Sequence, residues 1–216
     1  MSTAEVSIRN LTGDWVIDKS KSTNIDGALK LQGIGWLRRK AVTSGTITLK
    51  TAHTTEAHNG NQPVTRLMMQ QGLRGIFPGV EQTRSLDWST HEQVDSVSGA
   101  AITVRSRYVR AVEDRDGSNV KPVLQVETSA ASEKGKTDIE AFLGAAASVP
   151  GIGSEEERQK AFVQDYIVCE SGGWTAEQVW AVERIDGGLF LTCRAVAAKG
   201  DATEMAYQVY QYEEEK

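Results

Sequence analysis

The sequence predicts a mainly β protein: one antiparallel β-barrel of about ten strands, spanning residues 1–216 as a single ligand-binding domain. Three observations predict it. From Gly45 onward, short alternating segments follow one another between turn residues. Asn59-Gly60, Asp116-Gly117, Asp186-Gly187 and Gly200-Asp201 are turn pairs, the first a strong hairpin signal. Two short helical segments near the start tip the choice from a sandwich to a barrel with a two-helix lid. Closure also removes the exposed edges that an open sheet must protect.

Leu11 to Asp18 alternates loosely and carries Trp15, so it reads as the first strand. The lid covers about residues 24–41. Ile25, Ala28 and Leu29 share one helix face, and Ile34, Leu37 and Ala41 resume the spacing after Gly33 and Gly35. Further strands are expected at Thr46–Thr54, Val64–Gln71, Glu81–Trp88, Val97–Arg110, Val123–Thr128, Phe162–Glu170, Val179–Ile185, Leu189–Ala197 and Thr203–Tyr212. A helical insertion at about 131–161 interrupts them. Its alanine-rich stretch Asp138–Val149 reads as a helix stopped at Pro150-Gly151, and Ser154 with Glu157 has capping-box spacing. Such an insertion at a barrel rim is either a gate or a plain surface loop.

Composition narrows the function. Hydrophobic residues make up 39% and charged residues 25% of the chain, ordinary for a globular protein. A net charge of −5 argues against nucleic acid as a partner, because phosphate binding needs a basic face. It also disfavours electrostatic docking on an anionic membrane. No stretch has the length of a membrane span, and Met1–Asn10 lacks the basic and apolar regions of a signal peptide. Cys169 and Cys193 make no disulfide framework and read as small buried hydrophobes, so a cytoplasmic location is expected. No His/Cys cluster has zinc spacing, so neither a metal nor a cofactor is expected. The sequence leaves the oligomeric state open.

Gly13-x-Trp15, Ser20, Asp26, Leu29-Lys30, Gly33-x-Gly35, Arg39 and Ala41 resemble the opening of the intracellular fatty-acid-binding proteins. That resemblance implies a first strand leading into a helix-turn-helix lid on a barrel of the calycin/lipocalin-like kind. A closer resemblance, to a set of fungal lipocalin-like barrel proteins, rests on three stretches. These are Leu31 to Ala41, Arg84-Ser85-Leu86-Asp87-Trp88 and Gly173 to Trp180. Some members of that set resemble the hetero-Diels-Alderases of tropolone-sesquiterpenoid pathways in fungal secondary metabolism. The resemblance therefore implies a pericyclase joining a tropolone-derived ortho-quinone methide to a macrocyclic sesquiterpene alkene. The alternative is a non-catalytic intracellular carrier of an apolar metabolite or lipid. One departure bears on the ligand. Where fatty-acid-binding proteins carry Arg-x-Tyr on the last strand, this chain reads Gln208-Val209-Tyr210. A glutamine hydrogen-bonds but does not neutralise a carboxylate.

Standard catalytic motifs are missing: no G-x-S-x-G, no phosphate-binding loop and no H-E-x-x-H. A cycloaddition needs none of them. It needs two reactants held in alignment and a donor on the heterodiene oxygen. Candidate donors are Arg194, Tyr108 and Tyr210. Candidate substrate-binding residues are Trp36, Arg66, Met68, Arg84, Trp88, Arg107, Trp180 and Gln208. Trp36 would close from the lid. Trp88 and Trp180 would offer flat walls to an apolar or polycyclic small molecule. Of the three histidines, His58 and His91 are expected in surface turns, and His53 near a strand end. Strand periodicity pairs Arg84 with Leu86 and Trp88, Arg66 with Met68, and Arg194 with Phe190 and Val196. A slip of one residue would invert every such assignment.

Overall fold

A computed structural model describes residues 6–56, 64–128, 130 and 132–213. The Asn59-Gly60 turn and His58 lie outside them. Strands β1 (Gly13–Ile17), β2 (Ile47–Glu56), β3 (Val64–Leu73), β4 (Phe77–Ser85), β5 (His91–Val94) and β6 (Ala101–Val109) come first. Helices α1 (Ile25–Leu31) and α2 (Trp36–Ser44) intervene after β1. A small hairpin of β7 (Ala111–Glu113) and β8 (Val120–Pro122) leads to helices α3 (Glu133–Leu143) and α4 (Glu155–Gln159). Strands β9 (Phe162–Cys169), β10 (Trp174–Ile185), β11 (Gly188–Lys199) and β12 (Ala202–Glu213) finish the chain. None of the described helices is long and apolar enough to cross a membrane.

Ten strands form one antiparallel sheet in the order β4-β3-β2-β1-β12-β11-β10-β9-β6-β5. Its two edges, β4 and β5, face each other across a seam held by side chains. The Gln82 side-chain amide donates to the Val94 carbonyl at 2.7 Å, and that of Gln93 donates to the Thr83 carbonyl at 2.5 Å. Beyond β4 the chain crosses to β6, where the Trp88 N–H donates to the Ser106 carbonyl at 2.8 Å. The wall is thus a nearly closed barrel, as the alternating sequence predicts.

Register fixes the inner face. Trp15 pairs with Tyr212 and Leu49, Trp180 with Cys193 and Val163, and Tyr210 with Ile17 and Leu191. All but the half-buried Tyr212 are fully or nearly fully buried, and all of them pack in one cluster. The Trp15 indole N–H bonds the Leu11 carbonyl at 3.2 Å, so the aromatic body is buried with its polar handle satisfied. Val6, Ile8 and Leu11 join the same cluster and close the end of the barrel away from the helices. At the helical end, Gly79 (φ +85°) allows a β-bulge between β3 and β4. A Cβ there would lie 1.9 Å from the Gln71 carbonyl oxygen.

Several boundaries differ from the sequence expectation. Val123–Thr128 is not a strand. It is an extended strap whose Glu127 and Thr128 N–H groups are bound by the Glu177 carboxylate at 3.0 and 2.8 Å. At these two residues the backbone is thus satisfied by a side chain instead of a neighbouring strand, while the Val123 N–H bonds the Arg110 carbonyl at 2.9 Å. β5 is unforeseen, and His91, expected in a turn, opens it. β4 starts earlier and ends before Trp88. The α-helical stretch lies at Glu133–Leu143, earlier than expected, while the Ser154–Glu157 capping box is present. The insertion packs against the outer wall as an ordered element. Ile139, Leu143, Val120 and Ala147 pack on Phe162, Val179, Ala181 and Val196, the outward residues of β9–β11, forming a second core outside the barrel.

Candidate functional site

The two helices lie across the end of the barrel from which β2 departs. Asp26 on α1 and Arg39 on α2 form an ion pair at 2.9 Å. The Arg38 guanidinium donates to the carbonyls of Val97 and Ser98 at 3.2 and 3.1 Å, tying α2 to the β5–β6 turn. Beneath the helices lies a cavity of about 100 Å³. Leu29 and Val42 line it from above, with Ile167, Trp174, Ala176 and Ala195 on the walls. Its polar lining is made of Gln32, Gln71, Gln178, Gln208 and Asp95. A vestibule of about 380 Å³ lies outside, between α2 and the β3–β4 and β5–β6 turns. Val42 and Val97 line both spaces and stand between them.

Below the cavity a polar layer crosses the barrel. In its first half, the Tyr210 hydroxyl donates to the Gln208 side-chain oxygen at 2.5 Å and receives the Gln71 amide at 3.2 Å. Burial raises the Tyr210 phenol well above its usual range, so it stays a neutral donor. The second half centres on Asp165, which has no solvent exposure. Asp165 accepts from Ser106 Oγ at 2.6 Å, Arg84 Nε at 3.2 Å and Trp180 Nε1 at 3.2 Å. Arg84 also donates to Gln93 and Gln82, at 3.0 and 3.1 Å. The Trp180 N–H is shared with Gln178 at 3.3 Å, which links this cluster to the cavity wall. Beyond the layer the barrel is filled: Leu67, Met69, Val163, Val182, Leu191 and Cys193 are buried and mutually packed.

The structure sorts the predicted residues into three groups. Arg84, Trp180, Gln208 and Tyr210 meet in the polar layer. Tyr108 is on the inner face of β6, opposite Val163, but away from the cavity lining; burial raises its phenol to about 12. The others face away from the cavity. Arg194 shares the outward face of β11 with Val196 and pairs with Glu183 at 2.9 Å, its guanidinium 5.2 Å from the Tyr207 ring. Arg66 and Met68 are outward because Leu67 and Met69 point in. Arg107 stacks on Trp88 at 4.1 Å, outside the barrel, with Arg105 over the same ring at 4.8 Å. Trp88 leaves the inner face because its backbone turns left-handed, with φ +66°. Trp36 is 67% exposed at the start of α2 and does not cover the cavity.

Sequence reasoning missed Asp165, Ser106, Gln71, Gln82, Gln93 and Gln178. One signal was present. On β9, Val163, Asp165 and Ile167 alternate on one face, so an acid stands in an apolar row. His53 is also inward. Its Nδ1 accepts the Leu11 N–H at 3.0 Å, and burial lowers its pKa to about 4.

Fold and site together define a helix-covered antiparallel β-barrel with an internal cavity. No family model matches the chain, and no curated protein sequence matches it. Among solved structures it is similar to a mutant of the REP1-NXSQ fatty acid transporter, with TM-score 0.43 and 10% identity over 94% of this chain and 98% of that one. It is also similar to fatty-acid-binding protein 1 of Echinococcus granulosus, with TM-score 0.46 and 9% identity over 94% and 96% of the two chains. The fatty-acid-binding protein of Manduca sexta gives TM-score 0.44 and 14% identity over 94% and 98%.

Proposed function

We propose that this protein binds one largely apolar, uncharged small molecule beneath its helical pair. The carrying observation is the cavity itself: a lining shared about equally by apolar and polar groups, four glutamine side chains among them for orientation, and a vestibule two valines away. Ligand sites usually span roughly 300–1,000 Å³ with a few placed polar groups. The inner cavity alone is below that range, and joined to the vestibule it falls inside it. Binding therefore requires Val42 and Val97 to part, a side-chain and helix motion rather than a change of barrel. Titration with N-phenyl-1-naphthylamine, a neutral fluorescent probe, tests this reading. Saturable one-to-one binding displaced by decanol is expected. A linear, non-saturating response would remove it.

A second, finer reading keeps the cycloaddition. The observation that favours it is the chain of neutral donors at the cavity floor, Gln71, Tyr210 and Gln208, suited to a heterodiene oxygen. Two reactants need more room than one, so this reading demands a larger opening of the helices. Incubation with a quinone-methide precursor and a humulene-type alkene tests it. Product formation at the rate seen in buffer alone would rule it out.

A further inference from the structure

We propose that Asp165 is a specificity determinant that makes the cavity reject anionic ligands; the inference rests on the reading that the cavity holds a small molecule. Arg84 lies in the polar layer below the cavity, buried to 5% exposure on the inner face of β4. An unpaired guanidinium in this layer would offer a ligand carboxylate its counter-charge. Asp165 already occupies that role, bonding Nε from β9 across the barrel. The remaining contacts of Arg84 go to the neutral side-chain oxygens of Gln93 and Gln82. The pair therefore carries no net charge, and its positive field cancels within a few ångströms.

The rest of the lining works in the same direction. No Arg, Lys or His is among the described residues that line the cavity. Its one charged residue is Asp95, whose carboxylate takes the Ser98 N–H and hydroxyl, both at 2.6 Å. An anion entering this space loses its hydration and meets amides and the Asp95 carboxylate, while the Arg84 guanidinium in the layer below is already paired. A buried charge without a counter-charge is strongly disfavoured. Alcohols, ketones, esters and lactones of apolar skeletons suit the glutamine lining, because an amide both donates and accepts.

The test compares two fluorescent probes with one ring skeleton: neutral N-phenyl-1-naphthylamine and its anionic 8-sulfonate. Only fluorescence displaced by decanol is scored, which restricts the readout to the apolar site. The wild-type protein is expected to bind the neutral probe at least tenfold more tightly. Asp165→Asn keeps the shape and leaves Arg84 uncompensated; it should shift the preference toward the sulfonate by tenfold or more. Asp165→Ser serves the same purpose should the asparagine variant not fold. Arg84→Gln combined with Asp165→Asn removes both charges and should return the wild-type preference. Equal affinity of the wild type for the two probes, or an unchanged preference in a folded Asp165 variant, overturns the proposal while leaving small-molecule binding intact. Binding of neither probe to the wild type overturns both.

Discussion

His53 Nδ1 receives the backbone N–H of Leu11 across 3.0 Å, so a neutral imidazole fastens the segment that closes the far end of the barrel. The same Leu11 gives its carbonyl to Trp15 Nε1 and to Thr51 Oγ1. Protonation would put a second donor where an acceptor is required. Burial lowers the His53 pKa from 6.5 to about 4. The native state thus takes up fewer protons than the unfolded chain between these values. Stability from this group is fully present above pH 6.5 and is lost as pH falls toward 4. Allowing for partial exposure, urea unfolding should show about 1–2 kcal/mol less stability at pH 5 than at pH 7 from this residue. His53→Gln keeps an acceptor for Leu11 and does not titrate. Its pH 7 to pH 5 difference should be smaller by that amount; an unchanged difference would show that His53 is not the group responsible.

Arg194 should behave as part of the outer wall. Its guanidinium and the Glu183 carboxylate are both nearly buried, and Thr192 donates to the same carboxylate at 2.5 Å. Arg194→Met leaves a buried acid without its cation and is expected to cost about 3–5 kcal/mol. Arg194→Met with Glu183→Met should recover most of that loss, because paired apolar side chains fill the space without a desolvated charge. Probe affinity in the double variant should stay within twofold of wild type. A loss of binding without loss of stability would restore Arg194 to the site.

Filling the cavity should separate binding from folding. Ala195 is on the wall beneath the helices, nearly buried, with its side chain toward the open space. Ala195→Phe should reduce neutral-probe affinity by more than tenfold. Overpacking costs about 1–3 kcal/mol, and the free volume offsets part of it. Calorimetric melting together with probe titration checks both halves of this expectation.

The Tyr210 hydroxyl joins Gln71 to Gln208 at the cavity floor. Tyr210→Phe deletes that link and leaves two half-buried amides each short of one partner, at about 0.5–1.5 kcal/mol of stability. If the barrel catalyses the cycloaddition, this variant should slow turnover more than it weakens ground-state binding. If it only carries its ligand, affinity alone should respond. The ratio of the two effects distinguishes the readings.

The barrel was legible because two-residue alternation survives along nearly every strand, and a closed antiparallel wall follows from it. The inner face was not, because apolar rows occur on both faces. Val196 and Val179 face an outer core built by the insertion, so Arg194, sharing their face, looked like an inward group. Trp88 was misplaced for a local reason: one left-handed residue ends the alternation that Leu86 suggests. Asp165 was legible as an acid in an apolar row, but its partner Arg84 is 81 positions away and joins it only across the interior. Pairings of that range depend on barrel closure, which no local pattern encodes.

The seam between β4 and β5 has a consequence for how such a barrel varies. Backbone ladders hold neighbouring strands at a fixed spacing of about 4.8 Å. Along this one line the spacing depends instead on the reach of Gln82, Gln93 and Arg84. Between the β4 and β5 edges the girth of the wall is therefore set by these three side chains, while the Trp88 N–H bond to the Ser106 carbonyl pins the end of the seam. Exchanging them for shorter or longer ones alters the width available to a guest while the remaining ladders and the packed far end stay as they are.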